Sequence, residues 1–196
     1  MKSALKSVRR LAVYCGSSIG SDPVFADSAV ELAGVMAERG VDLVYGGGRL
    51  GLMGLMADSV LAAGGRAYGV IPNALVDLEV AHTGLTELHR VDTLHERKAK
   101  MTDLADAFLA LPGGIGTLDE LFEAWSWNAL GYHAKPLALL NVAGFWDGLD
   151  SFLDHAAACG FLSPARREQL LVAGTADEAL KLLDEAAATA AKGMVW

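Results

Sequence analysis

The chain has 196 residues, enough for one α/β domain with an ordinary core. Hydrophobic residues make up 53% and charged residues 20%, which excludes a disordered chain. The formal net charge is −8 with no basic tract, so nucleic acid is not an expected partner and any phosphate must be held by local positive groups.

Met1–Arg10 is short and basic, and Leu11–Tyr14 runs straight into Cys15-Gly16-Ser17-Ser18, a turn and not the core of a signal peptide. Leu11–Cys15 is therefore read as a first strand and Gly16–Ser18 as its loop. Asp22-Pro23 starts a helix with apolar positions at Phe25, Ala29, Leu32, Ala33 and Met36, stopped by Gly40. Val41–Tyr45 is a second strand, closed by Gly46-Gly47-Gly48. Leu52–Ala63 is a helix, Arg66–Ile71 a third strand ended by Pro72, and Val76–Glu87 is irregular. Leu88–Val91 is a strand, Thr93–Leu104 a helix, Ala107–Leu111 a strand and Leu118–Leu130 a helix. Pro136–Asn141 is a strand, Phe145–Ala158 a helix, and Ser163-Pro164 opens a short helix. Leu170–Val172 is a short edge strand and Asp177–Ala190 the last helix.

Apolar strands alternating with helices specify a Rossmann-like, doubly wound parallel α/β sheet covered on both faces. No linker, repeat or change of composition divides it, so residues 1–196 are expected to form one domain. No uncharged stretch is long enough to span a bilayer, so no membrane partner is expected. Cys15 and Cys159 make no disulfide framework, and a reducing cytoplasmic setting is the default. The histidines His82, His89, His95, His133 and His155 have no metal-ligand spacing. They read as surface residues, and no metal is expected.

In such a sheet ligands sit beyond the carboxyl ends of the strands. Three glycine- or serine-rich loops fall there: Gly16–Ser18, Gly46–Gly48 and Gly113–Thr117. Gly46-x-Gly48-x-x-Gly51 has the dinucleotide spacing, but the next strand ends Gly69-Val70-Ile71-Pro72 without the acid that would hold a ribose. Close helix packing and direct ligand contact both remain open for it. No Gly-Lys-Ser/Thr follows either glycine cluster, which excludes a P-loop.

Leu111-Pro112-Gly113-Gly114-Ile115-Gly116-Thr117-Leu118-Asp119-Glu120 is the most informative stretch. Glycines at a strand-to-helix turn expose backbone N–H groups to an anion, and the helix N-terminus adds partial positive charge. Thr117-x-x-Glu120 alone reads as a capping box. A helix that needs only a cap does not need Gly113, Gly114 and Gly116, so phosphate binding with Glu120 left for chemistry is the favoured reading. Leu94, Arg97, Lys98 and Met101 share one helix face, which puts two cations at the edge of a packed surface. Trp125 and Trp127 read as core or subunit interface.

Pro112–Glu120, preceded by His95-Glu96-Arg97-Lys98-Ala99-Lys100-Met101, resembles the LOG (Lonely guy) family of cytokinin-activating phosphoribohydrolases. Tyr14–Ser18, Tyr45–Gly48, Gly51–Gly54 and Val70–Pro72 resemble the same family in the same order, and the likeness covers about Leu11 to Phe161. Leu94 stands where the family usually has Met.

The resemblance implies hydrolysis of the N-glycosidic bond of nucleoside 5′-monophosphates to a free base and ribose 5-phosphate, with no cofactor. The base is an N6-prenylated adenine in plant and many bacterial members. A general nucleoside monophosphate nucleosidase and a non-catalytic nucleotide or molybdenum-cofactor binder are the competing readings. Arg97 and Glu120 match the family's catalytic pair. Gly113, Gly114, Ile115, Gly116 and Thr117 match its phosphate loop. Glu79, Lys98 and Ser126 match further substrate contacts, and Gly16, Ser17, Gly46 and Gly47 fall in the other matching loops. The resemblance also implies a homodimer with its sites near the subunit boundary. Members carry an old lysine decarboxylase label, which nothing in the sequence supports.

Overall fold

The computed structural model describes residues 8–76 and 81–193. Seven strands form one sheet: β1 (Arg10–Tyr14), β2 (Asp42–Tyr45), β3 (Ala67–Pro72), β4 (Glu87–Val91), β5 (Ala107–Ala110), β6 (Leu137–Leu140) and β7 (Leu170–Ala173). Their order is β4-β3-β2-β1-β5-β6-β7, and every neighbouring pair is parallel. The order reverses between β1 and β5, so the chain leaves β1 toward α1 on one face of the sheet and β5 toward α4 on the other, the switch point in whose crevice ligands bind in such sheets.

The helices are α1 (Pro23–Glu38), α2 (Gly51–Ala62), α3 (Leu94–Leu104), α4 (Ile115–Ala129), α5 (Asp147–Ala158), α6 (Pro164–Arg167) and α7 (Ala176–Gly193). Successive strand residues point to opposite faces, so each strand feeds two cores. Leu11, Val13, Leu43, Tyr45, Leu109 and Leu111 pack with Leu32 and Met36 of α1, Met56 and Val60 of α2, and Leu180 and Leu183 of α7. Ala12, Tyr14, Val44, Phe108, Ala110 and Leu139 pack with Met101 of α3, Leu121 and Trp125 of α4, and Leu153 of α5. Both faces of the sheet are therefore covered, as uniformly apolar strands require.

Every strand and long helix forms where its apolar run lies in the sequence, with many ends shifted by a residue or more. Asp22 caps α1 by accepting from Val24 N–H, and Thr93 caps α3 by accepting from Glu96 N–H. β7 is an edge strand, as expected. The informative shift is at α4, which begins at Ile115 and not at Leu118. Its N-cap is Gly114, with no side-chain cap. Thr117 is buried inside the first turn, which overturns the capping-box alternative.

The Gly46–Gly51 cluster is a packing device on its α2 side. Gly51 has φ +59°, and a Cβ there would stand 2.2 Å from the carbonyl carbon of Ser17. The first turn of α2 donates to the β1 loop instead of to a ligand: Leu52 N–H reaches Ser18 O and Met53 N–H reaches Gly16 O, each at 3.4 Å. This N-terminus is thus occupied by backbone, whereas that of α4 is open.

Candidate active site

Three loops meet where β1, β2 and β5 end. Gly16 N–H donates to Pro112 O at 3.1 Å, and Leu111 N–H donates to Tyr14 O at 2.9 Å, which ties the β1 and β5 ends together. A Cβ on Gly16 would stand 3.4 Å from the Cα of Gly113, and one on Gly113 would stand 2.1 Å from Thr117 Oγ1. These two glycines let the loops touch. Gly114 and Gly116 are different, because a Cβ on either would meet nothing within 4 Å. Their lack of a side chain makes room for something other than the protein.

Among the described residues, none accepts a hydrogen bond from the N–H of Ile115, Gly116 or Thr117. The first helical bond of α4 is Leu118 N–H to Gly114 O at 3.1 Å. Gly114, Ile115 and Gly116 are exposed, and the Ile115 side chain is 83% accessible. A helix start whose first N–H groups have no protein acceptor and no side chain over them has the chemistry to hold an anion. A cavity of about 260 Å³ opens beside it, walled by Ser17, Ile19, Phe25, Gly113, Gly114 and Phe145.

Arg97 and Glu120 come together over the same end of the sheet. Arg97 is only 6% exposed. Its Nη2 donates to Gly46 O at 3.0 Å, and its Nε lies 4.0 Å from Glu120 Oε1. The Glu120 side chain, 15% exposed, reaches from the first turns of α4. A buried guanidinium is tolerated only when paired and hydrogen-bonded; Gly46 O supplies a hydrogen bond and Glu120 an opposite charge, each offsetting part of the cost. The negative charge of Glu120 is felt nearby: burial first, then Glu120, then Glu123 raise the Tyr14 phenol well above its ordinary range. Burial and then Glu120 push up the Cys15 thiol too. Cys15 therefore stays a thiol at neutral pH and offers no thiolate nucleophile.

The remaining expected site residues divide. Gly47 has φ +77°, and a Cβ there would meet Leu88 and Ile71, so this glycine faces β3 and β4 and not the crevice. Lys98 Nζ bonds Asp119 at 3.1 Å and also Glu123, on the outer side of α4. Burial lowers the pKa of Lys98, but its bonds to Glu123 and Asp119 and their charges outweigh this, and the ammonium is held protonated. That setting is the reverse of what a Schiff-base lysine requires. Ser126 lines a second cavity of about 620 Å³ with His95, Ile115, Asp119, Phe122 and Trp127. Glu79 lies outside the described residues.

His82 corrects the surface reading of the histidines, because it is buried. Its partner Asp58 is 24 positions away in sequence, a separation with no local signal. His133 is half-buried against Phe108, with ring centroids 5.2 Å apart; burial and then Lys135 lower its pKa. Trp125 is core, and Trp127 is half-buried against the His95 ring.

A family model described as possible lysine decarboxylase matches residues 53–183. The cytokinin riboside 5′-monophosphate phosphoribohydrolase LOG of Oryza sativa subsp. japonica is 47% identical over 188 residues, covering 96% of this chain and 78% of that protein. The chain belongs to the LOG family. LOG2 of Arabidopsis thaliana, also named a cytokinin riboside 5′-monophosphate phosphoribohydrolase, is 45% identical over 185 residues, 94% of this chain and 87% of that protein. Among solved structures, the Moco carrier protein of Chlamydomonas reinhardtii superposes with a TM-score of 0.70 at 20% identity, covering 92% of this chain and 98% of that one. That likeness shows the fold alone.

In this LOG chain Gly46 has a steric duty of its own. A Cβ there would stand 2.0 Å from Arg97 Nη2. Gly46→Ala is expected to push the guanidinium off its carbonyl partner while β2 stays folded. The measurement is nucleotide turnover beside circular dichroism. The expected result is native ellipticity with turnover reduced about 100-fold, the usual scale for a misplaced reacting group.

Proposed function

We propose that this chain hydrolyses the N-glycosidic bond of adenosine 5′-monophosphates, N6-modified ones included, releasing the free base and ribose 5-phosphate. The observation that carries the reading is the open N-terminus of α4, set one helical turn from the Arg97–Glu120 pair. The names of the rice and Arabidopsis relatives support the substrate class.

The phosphate takes the N–H groups of Ile115, Gly116 and Thr117, with Gly114 and Gly116 leaving it room. Binding there fixes the ribose so that its C1′ faces the carboxylate. As the C–N bond breaks, the sugar gains oxocarbenium character. The charge of Glu120 stabilises it where it develops, and the same carboxylate orients the attacking water and takes its proton. The water oxygen joins C1′, and the proton leaves with the base. Arg97 holds Glu120 in place and offers positive charge to the phosphate or the departing base.

Glu120→Gln keeps the shape of the side chain and removes its charge. The variant is expected to fold normally and to lose at least about 100-fold in turnover. Ribose 5-phosphate release from AMP, N6-isopentenyl-AMP, GMP, CMP and adenosine reads both the role and the substrate. Fastest release from the N6-isopentenyl form and slowest from adenosine is the expected order. Equal rates on all four monophosphates would assign a general nucleosidase.

Gly116→Ala separates the phosphate loop from the fold. It adds a methyl group to open space in the first turn of a helix, where Ala is favoured by up to about 1 kcal/mol over Gly. The melting temperature is expected to hold or rise while KM for AMP increases at least several-fold. An unchanged KM would remove the phosphate from this helix end.

The assembly proposed is a two-fold homodimer through α3 and α4. Their outer side exposes Leu94, Ile115 and Phe122 beside the half-buried Trp127. Lys98 and Ser126 lie on that side, so their substrate contacts require the second subunit. Light scattering at micromolar concentration is expected to give a dimer. Trp127→Glu is expected to give a folded monomer with greatly reduced turnover.

A further inference from the structure

The loop between β3 and β4 carries a buried histidine that the mechanism above does not use. His82 is 5% exposed, and a buried polar ring needs partners for both nitrogens. Gly84 N–H donates to Nδ1 at 3.0 Å. A backbone N–H can only donate, so Nδ1 is the unprotonated nitrogen. The proton sits on Nε2, which donates to Asp58 Oδ1 on α2 at 3.0 Å. The ring thus pins the loop to α2.

The main chain at the same place pins the loop to the β2 turn. His82 N–H donates to Gly47 O at 3.0 Å, and Ala81 forms an antiparallel bridge with Gly48. One residue earlier, Gly46 O accepts from Arg97. Two adjacent carbonyls of one turn therefore hold the loop and the catalytic guanidinium.

We propose that His82, oriented by Asp58, is a positioning residue for Arg97: it holds the Ala81–Gly84 segment against the Gly46–Gly48 turn and thereby fixes the carbonyl that aims the guanidinium. The ring touches no substrate and acts through backbone alone. The functional part of this inference rests on the hydrolase reading; the geometric part does not.

The test uses His82→Ala, His82→Gln, Asp58→Ala and, as a control in the same loop, Thr83→Ala, all in the full chain. Gln keeps a terminal N–H₂ to donate to Asp58. His82→Ala is expected to keep native circular dichroism and to lose about 10- to 100-fold in kcat, since small misplacements of a reacting group carry losses of that scale. Gln is expected to recover most of it, Asp58→Ala to lose less, and Thr83→Ala to be unchanged. Combined with Arg97→Ala, the His82→Ala loss is expected to vanish, because the group it positions is gone.

A second readout needs no turnover. In ¹⁵N-labelled protein the Arg97 Nε–H resonance, assigned by its disappearance in Arg97→Ala, is expected to shift or broaden in His82→Ala and to return in His82→Gln. A folded His82→Ala with wild-type kcat, losses that multiply independently with Arg97→Ala, or an unmoved Arg97 resonance would each overturn the proposal. Wild-type protein inactive on every nucleotide would overturn the hydrolase reading instead, and the resonance would still decide the positioning role.

Discussion

The arrangement at the sheet's carboxyl ends depends on how one buried cation is satisfied. Arg97 enters from α3 into a place with little access to water, where an unpaired guanidinium would be costly. Gly46 O and Glu120 answer part of that demand from two other elements, the end of β2 and the start of α4. The demand runs backwards through the sequence as well. Gly46 must lack a side chain because the guanidinium occupies its place, and α4 must start early enough to bring Glu120 within reach.

The two helix N-termini at this end of the sheet show how the same local chemistry is used in two ways. α2 begins in a glycine cluster, but its first donors are spent on Gly16 and Ser18 carbonyls, which knits the β1 loop to the helix. α4 begins in a glycine cluster, and among the described residues no backbone carbonyl accepts from its first donors. Loop position decides between them. The β1 loop lies over α2, whereas among the described residues no backbone carbonyl takes the first N–H groups of α4. Gly114 and Gly116 leave open space at the α4 start, and Gly16 and Gly51 serve contact between backbones.

The outer side of α3 and α4 has a different character. Lys98 is neutralised between Asp119 and Glu123, and Trp127 is only half covered, by the His95 ring. The pair that faces the sheet end and the group that faces outward come from the same two helices, about a third of a turn apart. Helical geometry alone puts Glu120 and Asp119 on separate sides. A second subunit meeting the outer side would stand close to the crevice without contributing to the fold of this chain.

The sequence by itself determined the architecture, because strand and helix periods are local and each apolar run must find a buried face. It also determined the loop Gly113–Thr117 and its acid, since glycine spacing before a helix has few uses. The contact between Arg97 and Glu120 was legible only through the LOG resemblance; spacing alone left Arg97 and Lys98 equivalent neighbours on one helix. Only tertiary structure separated them, by placing Arg97 under Gly46 and Lys98 beside two carboxylates. It alone set the start of α4 at Ile115, which turned Thr117 from a cap into a buried neighbour of Gly113. It alone buried His82 against Asp58, since a pairing across 24 residues depends on where α2 and the β3–β4 loop are carried by the sheet, and no local pattern encodes that distance.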